Sequence, residues 1–253
     1  MKQTQLCTLV KKSEPVKGIF DFTVEAPAIA AEAEAGQFLH ILCGRGVFLR
    51  RPISICDVQD DRVRFVFEVK GEGTKELAEF SVGDKIDILG PLGHGFTIDK
   101  KYKAPAVIGG GIGIFPLLKL SRELYKPLVV LGFRSSDRVM MEEEFRAASA
   151  ETLVATDDGS YGYNGYAIEL LQKQLSEREC DVIYSCGPTP LLKAVQALAA
   201  EKDIDCQLSL EQRMGCGIGA CLVCTCKTTH KGMDENMRVC KNGPVFDARE
   251  VIF

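Results

Sequence analysis

The spacing of cysteines near the end of the chain constrains the fold more than any other feature. Cys216, Cys221 and Cys224 stand in a Cys-x4-Cys-x2-Cys pattern, with Cys240 following at a distance. From Glu211 onward the chain is rich in glycine and cysteine and poor in large apolar residues. A stretch of some forty residues with that composition cannot bury enough hydrophobic surface to fold alone, and such segments usually need a metal.

The kind of metal follows from the spacing. Structural zinc ribbons tend to present two Cys-x2-Cys knuckles, whereas the longer first gap matches the loop of plant-type ferredoxins, which wraps a 2Fe-2S cluster. Gly215, Gly217 and Gly219 suit a backbone that passes close to an anionic cluster in conformations that side chains disfavour. Cys216, Cys221, Cys224 and Cys240 are therefore the candidate cluster ligands. A zinc site and inert thiols are the alternatives, and the spare Cys226 is the alternative to Cys240 as the last ligand. Cys7, Cys43, Cys56, Cys180, Cys186 and Cys206 are scattered through apolar or turn segments and read as packing residues.

Composition excludes several classes. The 253 residues are 46% hydrophobic and 26% charged, with a formal net charge of -4 and no block of Lys and Arg. That balance argues against nucleic acid or an anionic membrane as the main partner. No run reaches the roughly 18 apolar residues of a membrane span, and the start lacks a signal-peptide pattern. A cytoplasmic location and reduced thiols are expected.

The patterning predicts a multi-domain β and α/β chain. Residues 1–99 hold short, glycine-broken segments such as the alternating Arg62–Val69, which read as an antiparallel barrel or sandwich, with a short helix over Thr74–Phe80. Residues 100–210 alternate helical segments with apolar runs at Ala104–Ile108, Leu128–Leu131, Thr152–Ala155 and Asp181–Ser185, and the run ending at Leu210 can add another. That is the signature of a parallel sheet covered by helices. Thr189 is expected to cap a helix with Pro190 at its first position. Residues 211–253 form the cysteine-bearing unit, with Asn242-Gly243-Pro244 as a turn before a possible strand.

Two glycine turns fall at strand ends in the middle part. Gly109, Gly110, Gly111 and Gly113 follow an apolar strand and precede a helix, the setting in which backbone amides bind a pyrophosphate. Ile114 stands where the dinucleotide fingerprint wants its third glycine, so a tight structural loop is equally consistent. Cys186-Gly187 closes a later strand, where a nicotinamide would lie if the sheet binds a dinucleotide; a plain strand-to-helix connection is the alternative. No acidic ribose ligand follows at the expected distance, which leaves NADH against NADPH open. In the first part, Arg51 can fork onto a phosphate, Ser54 can hydrogen-bond a ring nitrogen, and the Gly73 and Thr74 amides suit a pyrophosphate. Each is also compatible with an ordinary surface residue; together they indicate a flavin site.

The order of these motifs resembles the ferredoxin-reductase superfamily. Within it, the segments LRRPISI, KGEGTKEL, GPLGHGF, GGGIGIFPLL, ATDDGSYG, CGPTPLL, MGCGIGACLVCTC and CKNGPVF are similar to the electron-transfer subunits of bacterial NAD-linked (class 1B) dihydroorotate dehydrogenases. The resemblance spans nearly the whole chain. It implies an FAD-binding barrel, an NAD-binding α/β domain and a ferredoxin-like 2Fe-2S domain. It further implies that Arg51, Pro52, Ile53, Ser54, the backbone of Val66, Phe67 and Glu68, and the Gly73-Thr74 pair bind FAD. Pro52-Ile53 departs from the aromatic residue that ferredoxin reductases in general place there to stack on the flavin. The implied partner is a barrel-shaped catalytic subunit carrying FMN, in a heterotetramer with two copies of each, which oxidises dihydroorotate in pyrimidine biosynthesis. The implied role is that of an oxidoreductase passing electrons from that FMN through the 2Fe-2S cluster and FAD to NAD. No acid-base or nucleophilic site is expected here, since the only histidines are His40, His94 and His230 and no Ser-His-Asp set is evident. The alternatives are a reductase subunit serving a hydrogenase, sulfide dehydrogenase or ferredoxin, and a zinc-binding structural module.

Overall fold

Alternating apolar and polar residues close the first part of the chain into a barrel. The computed structural model describes residues 4–44, 46–230 and 232–253. In it β1 (Thr4–Val16), β2 (Ile19–Glu25), β3 (Phe38–Leu42), β4 (Arg51–Gln59), β5 (Arg62–Glu68) and β6 (Lys85–Leu92) join in the order β1-β2-β5-β4-β3-β6. All these pairings are antiparallel. Closure satisfies the strand edges, and the interior is filled by residues such as Phe22, Leu39, Ile41, Ile55, Phe65 and Phe67.

Because successive strand residues face opposite ways, the same alternation defines an outer face. Phe38 and His40 of β3, Pro52 and Ser54 of β4, and Val66 and Glu68 of β5 lie on it. Across the β3–β4 pair His40 stands opposite Pro52 and Phe38 opposite Ser54. On its other side β3 meets β6 with a register shift between Phe38 and His40.

Short helices α1 (Pro27–Ala30) and α2 (Glu72–Ala78) interrupt the barrel strands. Helix α2 begins at Glu72 rather than Thr74 and ends at Ala78 rather than Phe80, because the extended Gly71 takes the cap position. The Thr74 hydroxyl instead works inside the first turn, accepting from the Lys70 amide at 2.9 Å and the Gly71 amide at 3.2 Å.

The middle of the chain alternates strands and helices: β7 (Pro105–Gly110), α3 (Phe115–Glu123), β8 (Leu128–Phe133), α4 (Glu142–Ala148), β9 (Glu151–Thr156), β10 (Tyr163–Asn164), α5 (Ala167–Leu175), β11 (Val182–Cys186), α6 (Thr189–Lys202) and β12 (Asp205–Ser209). A 3-10 turn over Gly111–Ile114 connects β7 to α3. Pro188 caps α6, so Thr189 is its first residue rather than its cap, with Pro190 tolerated in the first turn. The C-terminal part adds β13 (Thr225–His230), β14 (Met233–Arg238), α7 (Val239–Asn242), β15 (Val245–Asp247) and β16 (Val251–Ile252).

The main sheet runs β10-β9-β8-β7-β11-β12-β15, parallel throughout except for the antiparallel β15. Strands β8 and β11 are buried along their whole length, as their continuous apolar runs require. A second sheet, β14-β13-β16, gives the C-terminal segment a hairpin that its polar sequence TCKTTHKGMDENMR does not advertise.

By packing, the chain divides into two units. One comprises the residues up to Gly95 with Glu211–Cys226 and Met237–Pro244; the other comprises Phe96–Leu210, Lys227–Asn236 and Val245–Phe253. Among the described residues no helix is long and apolar enough to cross a membrane.

Candidate functional site: two cofactor cradles and a cysteine loop

In the first unit Arg51 leads into β4 from the loop that ends at Arg50. Arg50 is spent on structure: its guanidinium holds both carboxylate oxygens of Asp87 at 2.9 Å and donates to the His40 carbonyl at 3.2 Å. Arg51 has no carboxylate partner among the described residues; its guanidinium donates to the Leu49 carbonyl and reaches across to α2. A Cβ on Gly73 would lie 2.7 Å from the Arg51 Nε. The structure thus brings the two motifs RPIS and GEGT into direct contact. Only a residue without a side chain lets the guanidinium lie against the start of α2, and the fork remains available to an anion there.

Beside this contact the outer barrel face offers Pro52 and Ser54, half-buried, and Val66, which is 5% exposed. Ile53 packs against the core and the Phe67 ring stacks on Phe20 within it, so at these positions only the backbone is available to a ligand. Glu68 is half-buried and paired with Lys70 at 3.3 Å. The arrangement is a flat strand surface with a cationic fork at one end, which suits a planar ring and a pyrophosphate.

The cysteine loop belongs to the same unit. Its thiols fall into two pairs. Cys216 Sγ accepts from the amides of Ala220 (3.2 Å) and Cys221 (3.4 Å), and Cys221 Sγ accepts from the Cys216 amide (3.4 Å). Cys224 Sγ accepts from the Cys240 amide at 3.4 Å. Among the described residues no three His, Cys, Asp or Glu side chains converge on one metal-binding point. Two thiol pairs, each supplied with backbone N–H donors, are the donor set that a cluster of two irons requires, with two ligands for each metal.

Local electrostatics favour the thiolate at Cys216 and oppose it at Cys240. Burial opposes ionisation of Cys216, but the amides of Ile218, Cys221 and Ala220 and the Cys221 thiol outweigh it and bring Cys216 down to about 6. Burial, together with the adjacent Cys224, pushes Cys240 up to about 12. Cys226 lies on β13 and is raised by burial and then by Cys224.

Gly217 and Gly219 both have positive φ, at 69° and 84°. Each also lies flat against a neighbour: a Cβ on Gly217 would come within 2.5 Å of the His40 ring, and one on Gly219 within 2.8 Å of the Lys241 side chain. Arg238 donates to the Gly219 carbonyl at 2.9 Å. The GPLGHGF turn joins in through His94, whose amide donates to the Gly243 carbonyl at 2.7 Å.

Sequence reasoning left out His40, Arg238 and Lys241. Their roles depend on contacts between distant segments, and the only signal was that two glycines in the loop needed something to lie against. Burial first, and then the Arg50 guanidinium, bring the His40 imidazole down to about 4, so it is neutral at physiological pH.

The second unit carries the glycine turns. β7 and β11 are adjacent and parallel, with Cys186 paired to Gly109 in register. The chain leaves β7 toward β8 on one side and meets β11 on the other, so the sheet order reverses between these two strands. Such a reversal opens a crevice at the carboxyl ends of the strands. A Cβ on Gly113 would lie 2.5 Å from the Gly187 Cα, and one on Gly110 2.9 Å from the Leu191 side chain. Gly111 has φ +55° and nothing within 4 Å of its Cβ position. Its exposed backbone is therefore free to face a ligand. Ile114, in place of a third fingerprint glycine, is fully buried beside Gly109, which explains why the turn is sound without it.

Comparison with known proteins agrees with these features. Residues 211–252 match the family model described as the iron-sulfur cluster binding domain of dihydroorotate dehydrogenase B. The chain is 42% identical to the dihydroorotate dehydrogenase B (NAD(+)) electron transfer subunit of Bacillus velezensis, over 99% of both chains. It is 40% identical to the protein of the same name from Desulforamulus reducens, over 90% of both. Among solved structures, a chain of an NADH-dependent reduced ferredoxin-NADP oxidoreductase superposes with TM-score 0.87 and 31% identity, covering 100% of this chain and 91% of that one. The ferredoxin reductase of carbazole 1,9a-dioxygenase, at 18% identity and TM-score 0.65, covering 80% of this chain and 66% of that one, shares the fold. This chain belongs to the family of dihydroorotate dehydrogenase B (NAD(+)) electron transfer subunits.

Proposed function

We propose that this chain is the electron-transfer subunit of a dihydroorotate dehydrogenase, an oxidoreductase that accepts electrons from an FMN-bearing catalytic partner and delivers them to NAD. Its resident carriers would be a 2Fe-2S cluster and FAD. The observation that carries this reading is the placement, in one compact unit, of the Arg51–Gly73 contact and the paired cysteines. When bound, the cluster exchanges single electrons and the flavin exchanges one or two, which is what joins a metal centre to a nicotinamide.

The chain's own residues bind and insulate. Arg51 would hold the FAD pyrophosphate with the Gly73 and Thr74 amides, while Pro52, Ile53, Ser54 and the backbone of Val66, Phe67 and Glu68 would support the ring system. Cys216, Cys221, Cys224 and Cys240 would ligate the cluster. Gly109, Gly110, Gly111 and Gly113, with Cys186 and Gly187, would receive NAD. The functional division runs 1–99 for FAD, 100–210 for NAD and 211–253 for the cluster. It is a division by cofactor rather than by packing, since the last segment contributes to both compact units. No side chain is assigned an acid, base or nucleophilic role. The place of work is the cytoplasm, where the scattered thiols stay reduced.

A second reading is favoured by the 31% identical oxidoreductase chain: a reductase subunit serving a different iron-sulfur flavoprotein complex. The test is the anaerobic visible spectrum of the purified protein with iron and flavin assayed on the same sample, before and after NADH. It is followed by dihydroorotate-dependent reduction of NAD with the catalytic partner present. Flavin and iron-sulfur bands that bleach with NADH, together with dihydroorotate turnover, are expected. Bleaching without dihydroorotate turnover would move the second reading to the front, and a colourless folded protein would overturn both.

A further inference from the structure

His40 has no part in the assignments above, yet its surroundings are unlike those of an ordinary barrel residue. It lies on the outer face of β3 opposite Pro52 and is 1% exposed. Its Nδ1 faces the cysteine loop so closely that a Cβ on Gly217 would come within 2.5 Å of it. The backbone carbonyls of Arg50 and Cys216 both lie beside the ring. Even so, neither Nδ1 nor Nε2 has a hydrogen-bond partner of acceptable geometry among the described residues.

A buried polar atom without a partner is costly, and an apolar residue of the same size would avoid the cost. Phe38 on the same face of the same strand shows the apolar solution: it is 3% exposed and packs under the Gly93 turn with no polar atom to satisfy. An imidazole at position 40 therefore calls for a group that is not part of the polypeptide.

We infer that His40 is a positioning residue for electron transfer, lodged between the cluster loop and the FAD strand. It spans from Arg50, which precedes the proposed phosphate-binding Arg51, to Cys216, the first proposed cluster ligand. Residues directly opposite on antiparallel strands have Cβ atoms about 5 Å apart, so one side chain separates the Pro52 surface from the cysteine loop. The nitrogen facing the loop would be the one to hydrogen-bond a sulfur of a cluster held at the Cys216 end. Such hydrogen bonds stabilise the more negative, reduced state of a cluster and raise its potential. The ring thereby sets both the seating of the loop on the barrel and the ease with which its cluster is reduced. This inference rests on the proposed roles of Cys216 and Arg51.

The experiment uses the full chain in complex with its catalytic partner, as wild type, His40→Phe and His40→Gln. His40→Phe keeps a ring of similar size without nitrogen, and His40→Gln keeps an N–H donor. Iron and FAD content, the electron paramagnetic resonance spectrum of the reduced cluster and its midpoint potential are measured on each. The expected result is full iron and FAD in both variants, with an altered cluster spectrum and a more negative midpoint in His40→Phe, partly restored in His40→Gln. Dihydroorotate-driven NAD reduction should fall about tenfold in His40→Phe, further than NADH-driven reduction of a soluble dye, as expected for a misplaced reacting centre. A wild-type spectrum and midpoint in His40→Phe would overturn the inference, as would equal loss of iron and FAD from both variants, which marks a packing residue. Failure of the underlying reading would show separately, as wild-type protein that lacks iron or FAD.

Discussion

A Cβ on Gly113 would lie 2.5 Å from the Gly187 Cα and 2.6 Å from the Cys186 carbonyl oxygen, so the two glycine turns of the nucleotide-binding unit meet backbone to backbone. Neither neighbour is a flexible side chain that could swing aside. Gly113→Ala should force the ends of β7 and β11 apart, at a cost of about 1–3 kcal/mol typical of overpacking. The expected outcome is a raised KM for NADH, by about tenfold if the loss is near 1.4 kcal/mol, with iron and FAD content unchanged. Steady-state kinetics and cofactor assay on one preparation check it.

The neighbouring arginines should separate by phenotype. Arg51→Ala removes the fork lying against Gly73 and should weaken FAD retention by about 1.5–3 kcal/mol, the usual worth of a hydrogen bond to a charged group, while iron stays near normal. Arg50→Ala should retain FAD better and instead lower barrel stability, because it breaks the two-pronged contact with Asp87. Flavin fluorescence after gel filtration, together with thermal melts, distinguishes them. Loss of iron and FAD together in Arg51→Ala would mean that its role is structural.

Cys221→Ser should remove or destabilise the cluster, because it replaces a proposed ligand, the sulfur that accepts from the Cys216 amide. Thiolate ligation supplies much of the folding energy of such segments. Limited proteolysis should then open the segment around Gly215–Val223, and chelation of iron from the wild type should reproduce the pattern. Retention of full iron in Cys221→Ser would refute the ligand assignment.

Stability should also depend on alkaline pH in a defined direction. Burial pushes the thiols of Cys7, Cys43 and Cys180 from 9.0 up to about 11. The unfolded chain releases these protons first, so their contribution is complete below about pH 9 and is lost as pH rises through about 11. Melting temperatures recorded across that interval should fall, and Cys43→Ala should lose less over it than wild type does, from its lower starting point.

Much of this was legible in the sequence because it depended on local pattern. The alternation in Arg62–Glu68 gave a strand, the continuous apolar runs gave β7, β8 and β11, and the cysteine spacing singled out the loop. What was not legible depended on contacts between distant segments. Thr74 looked like a helix start, but Gly71 holds that position and the hydroxyl acts from within the turn. The hairpin of β13 and β14 is nearly all polar on its surface, so periodicity had little to detect. His40 could not be found at all from its neighbours, since its setting is made by Gly217, far along the chain.

The register of β3 has a consequence for engineering and for sequence drift. Leu39 and Ile41 point into the barrel while Phe38 and His40 point toward the cysteine loop and the Gly93 turn. Inserting or deleting one residue within β3 would exchange these sets, sending the imidazole inward and a leucine outward. A length change confined to Phe38–Leu42 should therefore damage redox behaviour and folding together, whereas an equal change at the exposed Phe48-Leu49 pair should be tolerated far better.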